Sequence, residues 1–293
     1  MQENKSTKMI NAMTVDLEDW HHSIDKIPFE DWDKFESRVE VNTHKILDLF
    51  SKEGINATFF ILGYIAEKYP ALVKEITSLG HEIATHGHAH QLVYRQSPQV
   101  FREDLKRAVG IIENLTQQKI LGYRAPYWTI TRDSYWALDI LLEEGLKYDS
   151  SIFPMKTYLY GIPEAPLYPY IVKENNGNKL IEFPPSVITF MGIKIPVAGG
   201  FYMRLLPEWL IRAGFKKINK EDHSTIVYIH PPEFDPQKPR IKLPLMESIL
   251  HYYNLDVMEG KIKSLVSEFK FGTIKELLDS SKTKYNKFQI NRK

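Results

Sequence analysis

The chain has 293 residues, of which 43% are hydrophobic and 26% charged, and a net charge of +1. That balance suits a soluble globular protein with a sizeable core and excludes the basic surface of a nucleic-acid binder. There is no cysteine, so disulfides and thiolate metal sites are excluded and any metal must be held by His, Asp or Glu.

Ile10 to Asp16 reads as the first strand, and Ala57 to Leu62 (ATFFIL) as a buried one. Pro70 stands at a first helical position, with Gly80 just beyond the apolar run ALVKEITSL. Glu82 to Thr85 reads as a short strand. Ser97-Pro98 then opens the strongest helix, where Phe101, Leu105, Ala108, Ile112 and Leu115 form one stripe. Ile120 to Tyr123 is a further strand. Tyr135, Leu138 and Leu142 mark another helix, stopped at Gly145.

From Met155 to Gly200 the rhythm breaks into Pro-, Gly- and Tyr-rich sequence, read as an insertion of loops and short β segments at about 155–200. Thr225 to His230 (TIVYIH) is the clearest late strand. Thr273 and Glu276 have capping-box spacing ahead of Leu277 and Leu278. Strands alternating with helices imply an α/β fold with a mainly parallel sheet, open or closed into a barrel. Without an internal repeat or a linker, the expectation is one domain over residues 1–293.

Chemistry-bearing residues fall into four groups. Asp16, Glu18 and Asp19 crowd the end of the first strand (TVDLEDW), where like charges need a cation, water or a base between them. ATHGHAHQ sets His86, His88 and His90 at alternate positions, with His81 upstream. Imidazole is the commonest protein metal ligand, and zinc accepts a His/carboxylate set. Gly87 favours a turn from which a loop aims His86 and His90 at one point, with His88 pointing elsewhere. In GYRAPYW, Arg124 can orient a carboxylate and hold it ionised, while Tyr127 and Trp128 offer faces on which a sugar could stack. In IHPPEFDP, His230 ends a strand, where α/β folds place ligand-facing side chains.

In this order, from about Met13 to Pro236, these motifs resemble the polysaccharide deacetylase family, also called the NodB-homology or carbohydrate esterase 4 group. The resemblance implies a distorted (β/α) barrel with a divalent metal, zinc first, bound by one Asp and two His. By it, Asp16 is the catalytic base, Asp19 the metal carboxylate, His86 and His90 the metal imidazoles, Arg124 the tether of the base and His230 the general acid. The family opens with two adjacent aspartates, whereas here Leu17 and Glu18 separate Asp16 from Asp19. Glu18 therefore stands as the alternative carboxylate, and Glu18-Asp19 as an alternative acidic pair. DLEDW, YDSSIFP, EFPPS, GGFYMRLLP and HPPEFDP resemble a subgroup associated with bacterial exopolysaccharide export. Asp149 falls in the family's region for a residue that buttresses the catalytic His.

The implied reaction is amide hydrolysis of an N-acetylated glycan or sugar precursor, with the backbone N–H of Tyr127 helping to stabilise the oxyanion. Two rivals remain at this stage: a hydrolase of small cyclic amides on the same scaffold, and a catalytically silent carbohydrate-binding protein. The polar stretch Met1 to Met9 lacks the apolar core of a secretory signal, and no window approaches the roughly 20 apolar residues of a membrane span. The expected compartment is thus the cytoplasm, compatible with the inner face of the membrane. The sequence does not specify the sugar, the native metal or the oligomeric state.

Overall fold

The computed structural model describes residues 9–24, 26–280 and 285–290, so the N-terminal stretch before Met9 lies outside the described residues. Parallel strands form its centre: β1 (Ile10–Leu17), β2 (Thr58–Ile61), β3 (Glu82–Thr85), β4 (Gly122–Tyr123) and β5 (Tyr148–Asp149) pair in that order. Next in sequence come β6 (Tyr170–Asn175), β7 (Asn178–Glu182), and the separate hairpin of β8 (Val187–Phe190) and β9 (Ile193–Pro196). Two late strands, β10 (Ile226–Ile229) and β11 (Lys270–Gly272), both pair in parallel with β1. The sheet order is β10-β1-β2-β3-β4-β5-β7-β6, antiparallel only between β6 and β7.

Strand alternation sorts side chains into two environments. In β1, Met13, Val15 and Leu17 join the large apolar cluster, whereas Ala12 belongs to a smaller one with Phe60, Ala84, Tyr148, Phe183 and Ile226. Thr14 and Asp16 continue the Ala12 face toward the strand's C-terminal end. The smaller cluster fills the barrel interior, and the larger one packs strands against helices. Tyr148 occupies the space that a side chain at residue 122 would need, since a Cβ there would lie within its ring. Only glycine fits that step of β4.

Helices cover the outer face: α1 (Val39–Glu53), α2 (Gly63–Lys68), α3 (Pro70–Ser78), α4 (Pro98–Thr116), α5 (Ala137–Glu143), α6 (Gly200–Leu205), α7 (Glu208–Lys220), α8 (Leu245–Tyr252), α9 (Met258–Glu268) and α10 (Ile274–Ser280). Local signals account for several of them. Ser97 Oγ accepts a hydrogen bond from Val100 N at 3.3 Å, capping α4, and Phe101, Leu105, Ala108 and Ile112 are its buried stripe. Each such buried aliphatic or aromatic side chain contributes about 1.5–3 kcal/mol. Thr273 and Glu276 exchange hydrogen bonds of 3.2 and 3.0 Å at the start of α10.

The stretch 155–200 is more than an appendage, because β7 within it is a strand of the main sheet, next to β5. Beyond β7 the chain crosses to β10: Ser186 Oγ accepts from Ile226 N at 2.8 Å, and Tyr228 N donates to Ala198 O at 3.0 Å. These contacts close the ring irregularly. The result is a distorted (β/α) barrel whose parallel strands deliver their C-terminal ends to one rim. No helix among the described residues is long and apolar enough to cross a membrane.

Candidate active site

At that rim β1 delivers two carboxylates. Asp16 and Glu18, two residues apart on an extended chain, project to the same side, and both are buried. Leu17 faces the helices. Asp19 already lies in the turn that follows, and its carboxylate accepts hydrogen bonds from Trp20 N at 2.8 Å and Arg38 N at 2.9 Å. Arg38 is the residue before the first turn of α1. Asp19 is thus committed to anchoring that helix, and the carboxylate facing the histidines is Glu18. Glu18, not Asp19, is grouped with His86 and His90, because the two-residue period of the strand turns position 18 toward them.

His86 follows β3 directly, and Gly87 (φ 76°) and His90 (φ 51°) turn the loop back through left-handed backbone. A non-glycine residue held there is locally strained, as is common at functional sites. The turn brings His86 Nε2 to 3.1 Å and His90 Nε2 to 3.0 Å from Glu18 Oε1. His88 turns away toward Phe29 and Glu67, and His81 Nδ1 accepts from Ala57 N at 3.1 Å as a buried structural group.

His86 Nδ1 lies 2.7 Å from Arg124 O, which can only accept, so this nitrogen carries the proton. In the neutral ring Nε2 then presents a lone pair to the Glu18 oxygen. Two acceptors facing each other at 3.1 Å in a buried site repel, and a cation between them removes the conflict. One ligand atom each from Glu18, His86 and His90 lies within 4.8 Å of the others, so this donor set fits a divalent metal. Burial alone would raise the Glu18 carboxyl; were the rings protonated instead, the His90 charge and hydrogen bonds from both would hold it well below its ordinary range.

Arg124, 1% exposed, crosses the barrel mouth. It donates to Asp16 Oδ1 at 2.6 Å, Thr14 Oγ1 at 2.8 Å, Ser150 O at 3.2 Å and Ser150 Oγ at 2.9 Å. Its guanidinium lies 4.0 Å from the ring centroid of Phe60 and 4.8 Å from that of Trp128. Asp16 is thereby fixed in place.

Opposite Asp16 stands His230, its Nε2 at 3.7 Å from Asp16 Oδ2. Glu233 Oε2 receives both the backbone N–H and Nδ1 of His230 at 3.1 Å. Arg204 Nε holds the other Glu233 oxygen at 3.0 Å. Burial disfavours the imidazolium, yet the Glu233 hydrogen bond and charge, aided by Glu18 and Asp16, raise it to about 9. Glu233 itself is held at about 2 despite its burial, chiefly by that hydrogen bond.

Asp149 does not buttress this histidine. It sits across the strands from Glu182, facing Ser151 on the outer side of the sheet. Sequence reasoning missed Glu233 and Arg204. The three-residue spacing of His230 and Glu233 was available as a signal, whereas nothing local announces Arg204.

Asp16, Glu18, His86, His90, Tyr127, Trp128 and His230 border one cavity of about 250 Å³. Tyr127 (φ 51°) and Trp128 (φ 57°) also have left-handed backbone, and the Tyr127 ring lies 4.9 Å from that of His90.

A family model described as polysaccharide deacetylase matches residues 25–146, and one described as a domain of unknown function, DUF3473, matches residues 150–279. The match to the polysaccharide deacetylase family thus rests on residues 25–146. The chain is similar to a peptidoglycan deacetylase of Helicobacter pylori, 32% identical over 39% of this chain and 38% of that one. A peptidoglycan-N-acetylglucosamine deacetylase of Bacillus cereus is 33% identical over 33% of this chain and 36% of its own. The chain thus spans under two-fifths of the length of these curated relatives.

Among solved structures, a candidate polysaccharide deacetylase from Mycobacterium smegmatis superposes with a TM-score of 0.63 at 17% identity, covering 96% of this chain and 95% of that one. PuuE allantoinase superposes with a TM-score of 0.58 at 16% identity over 90% of this chain and 86% of its own. The fold is the NodB-type barrel of this family.

Proposed function

We propose that this chain hydrolyses the N-acetyl group of an N-acetylated sugar or polysaccharide precursor, releasing acetate, with a divalent cation, zinc first, held by Glu18, His86 and His90. The observation that carries the reading is the pairing of two unlike centres across one cavity. A carboxylate–imidazole set suited to a cation stands beside Asp16, and His230 faces Asp16 at 3.7 Å. A cation held there supplies Lewis-acid polarisation of the acetyl carbonyl and of the attacking water.

The remaining work belongs to the chain's own side chains. Asp16, oriented by Arg124, takes the proton from the water as it attacks. His230 carries a proton at Nε2, because Glu233 fixes its Nδ1–H and stabilises the ring's charge, and it donates that proton to the departing sugar nitrogen. Acetate and a free amine separate. Tyr127 and Trp128 line the approach as aromatic walls for a sugar face.

The deacetylase family and its peptidoglycan-processing relatives support an N-acetylated sugar as the substrate class. Assignment to the exopolysaccharide-export subgroup rests on the shared motifs alone. The modest cavity, about 250 Å³, favours a second reading: hydrolysis of a small cyclic amide on the same scaffold. Metal content of the purified protein, measured beside acetate release from N-acetylglucosamine oligomers with and without chelator, separates the two. Near-stoichiometric metal with chelator-sensitive acetate release is expected. Bound metal with ring-opening of a cyclic amide and no acetate would move the assignment to the second reading, and absence of bound metal would overturn the ligand set.

A further inference from the structure

The acid side of the cavity holds more positive charge than its carboxylates require. Glu233 is matched by His230 and Arg204, and Asp235 by Arg38, with Asn42 Nδ2 donating to it at 3.2 Å. Lys238, in the same turn, is 6% exposed, and its ammonium makes no hydrogen bond or ion pair among the described residues. Its nearest recorded partner is a ring face, Tyr252, with Nζ 5.4 Å from the centroid.

Burial and the neighbouring Arg204 bring this lysine down to about 8, against the pull of Glu233 and Asp235, so the charged form still predominates at neutral pH. An ammonium on a largely buried side chain that opens only onto a cavity, with no carboxylate of its own, is poised for an anionic partner from that cavity. Lys238 lies on the wall of the cavity that Asp16, Glu18 and His230 border, and Arg204 and His251 lie on that wall with it. Burial keeps His251 at about 4, so it is a neutral ring that adds hydrogen-bonding capacity and no charge.

We propose that Lys238, with Arg204 and His251 beside it, forms an anion subsite of this cleft that takes a carboxylate or phosphate group carried by the sugar being deacetylated. The inference rests on the deacetylase reading for the identity of the sugar and on the unpaired ammonium for the charge. An anionic substituent gives Lys238 the charge-assisted hydrogen bonds it lacks and sets which end of the sugar faces the acid. Lys238 then determines specificity, while the base and acid remain Asp16 and His230.

The test compares three probes on the metal-loaded full chain: N-acetylglucosamine, N-acetylmuramic acid and N-acetylglucosamine 1-phosphate. Calorimetry gives Kd, and acetate release gives kcat/KM. The anionic sugars should bind roughly 10- to 100-fold tighter than the neutral one, and whichever of the two leads identifies carboxylate or phosphate as the natural group. Lys238→Met should bring the ratio of anionic to neutral affinity to about one, and Lys238→Arg should keep most of it, with both variants checked for an unchanged melting profile.

Equal binding of neutral and anionic sugars, or a preference that survives Lys238→Met, overturns the subsite. Acetate release without preference would sink the subsite alone. Preference without acetate release would sink the deacetylase reading and leave the subsite standing. Failure of all three sugars to bind would overturn both.

Discussion

The two walls of the cleft are electrostatic opposites. On the wall built from β1, β3 and β4, negative groups are held by cationic or imidazole partners: Asp16 by Arg124, Glu18 by His86 and His90. On the wall built after β10, a cationic group is held by a carboxylate: His230 by Glu233, itself steadied by Arg204. Asp16 and His230 face each other at 3.7 Å. The difference teaches how two side chains of opposite sign share one small cavity: each is held by its own counter-charge on the side away from the other.

That comparison can be broken most severely on the first wall. His86→Ala and His90→Ala should each abolish bound metal and acetate release, a loss beyond the roughly 10–100-fold in affinity that removing a supporting partner costs. Asp19→Asn, read by the same metal assay, should keep the ion, and an empty Asp19→Asn protein would restore Asp19 as the ligand. Asp16→Asn should hold its metal and lose about 10²–10⁴-fold in kcat. Normal turnover in that variant would remove Asp16 as the base.

On the second wall the expected effect is a displacement of the pH profile. The acid must be protonated, so kcat should fall as pH rises through about 9, the value to which Glu233 lifts His230 against burial. In Glu233→Gln the counter-charge is gone, and the fall should begin about one to three pH units lower. An unmoved alkaline limb would show that another group supplies the proton.

The smallest effect lies behind the site. Glu182 Oε1 accepts the backbone N–H of Ser151 at 3.1 Å and of Ile152 at 2.9 Å, next to Ser150, which holds Arg124. Burial raises the Glu182 carboxyl well above its ordinary value, helped by the Asp149 charge beside it, and raises Asp149 to about 6. Both folded values are raised, so this pair stabilises most at acid pH and loses that contribution as pH rises through them. Glu182→Ala should cost about 1–3 kcal/mol in thermal unfolding by orphaning buried donors. Glu182→Gln, which keeps an acceptor for both backbone groups, should cost less than about 1 kcal/mol, and equal losses in the two variants would refute that role for the acceptor.

Much of the first wall was legible because its signals are local. ATHGHAHQ places the two histidines that face Glu18 and a glycine turn within five residues. The same two-residue period applied to TVDLEDW points to Glu18, whereas the resemblance to a family with adjacent aspartates pointed to Asp19. The alternation of the chain's own strand matches the grouping of Glu18 with His86 and His90. Less of the second wall could be read. His230 was recognisable as a strand end, but Arg204 reaches Glu233 from α6, 29 residues away in sequence, and no local pattern encodes that approach. Strands of two residues such as β4 and β5 carry too little periodicity to delimit, and β7 hides inside a Pro- and Gly-rich stretch whose pairing with β5 is a tertiary fact.

The central position of β1 has a consequence for the birth of the molecule. Thr14 donates to Val227 O across 213 residues of chain, so the first strand made waits for one of the last. At roughly 5–20 residues per second a ribosome needs about 10–40 s to supply that partner. During this interval the β1 edge that β10 will cover stands open, a template for wrong pairing. Glu18, His86 and His90 can already meet by then, while His230 cannot. Ending the chain before Thr225 would cost it the strand beside β1 as well as His230.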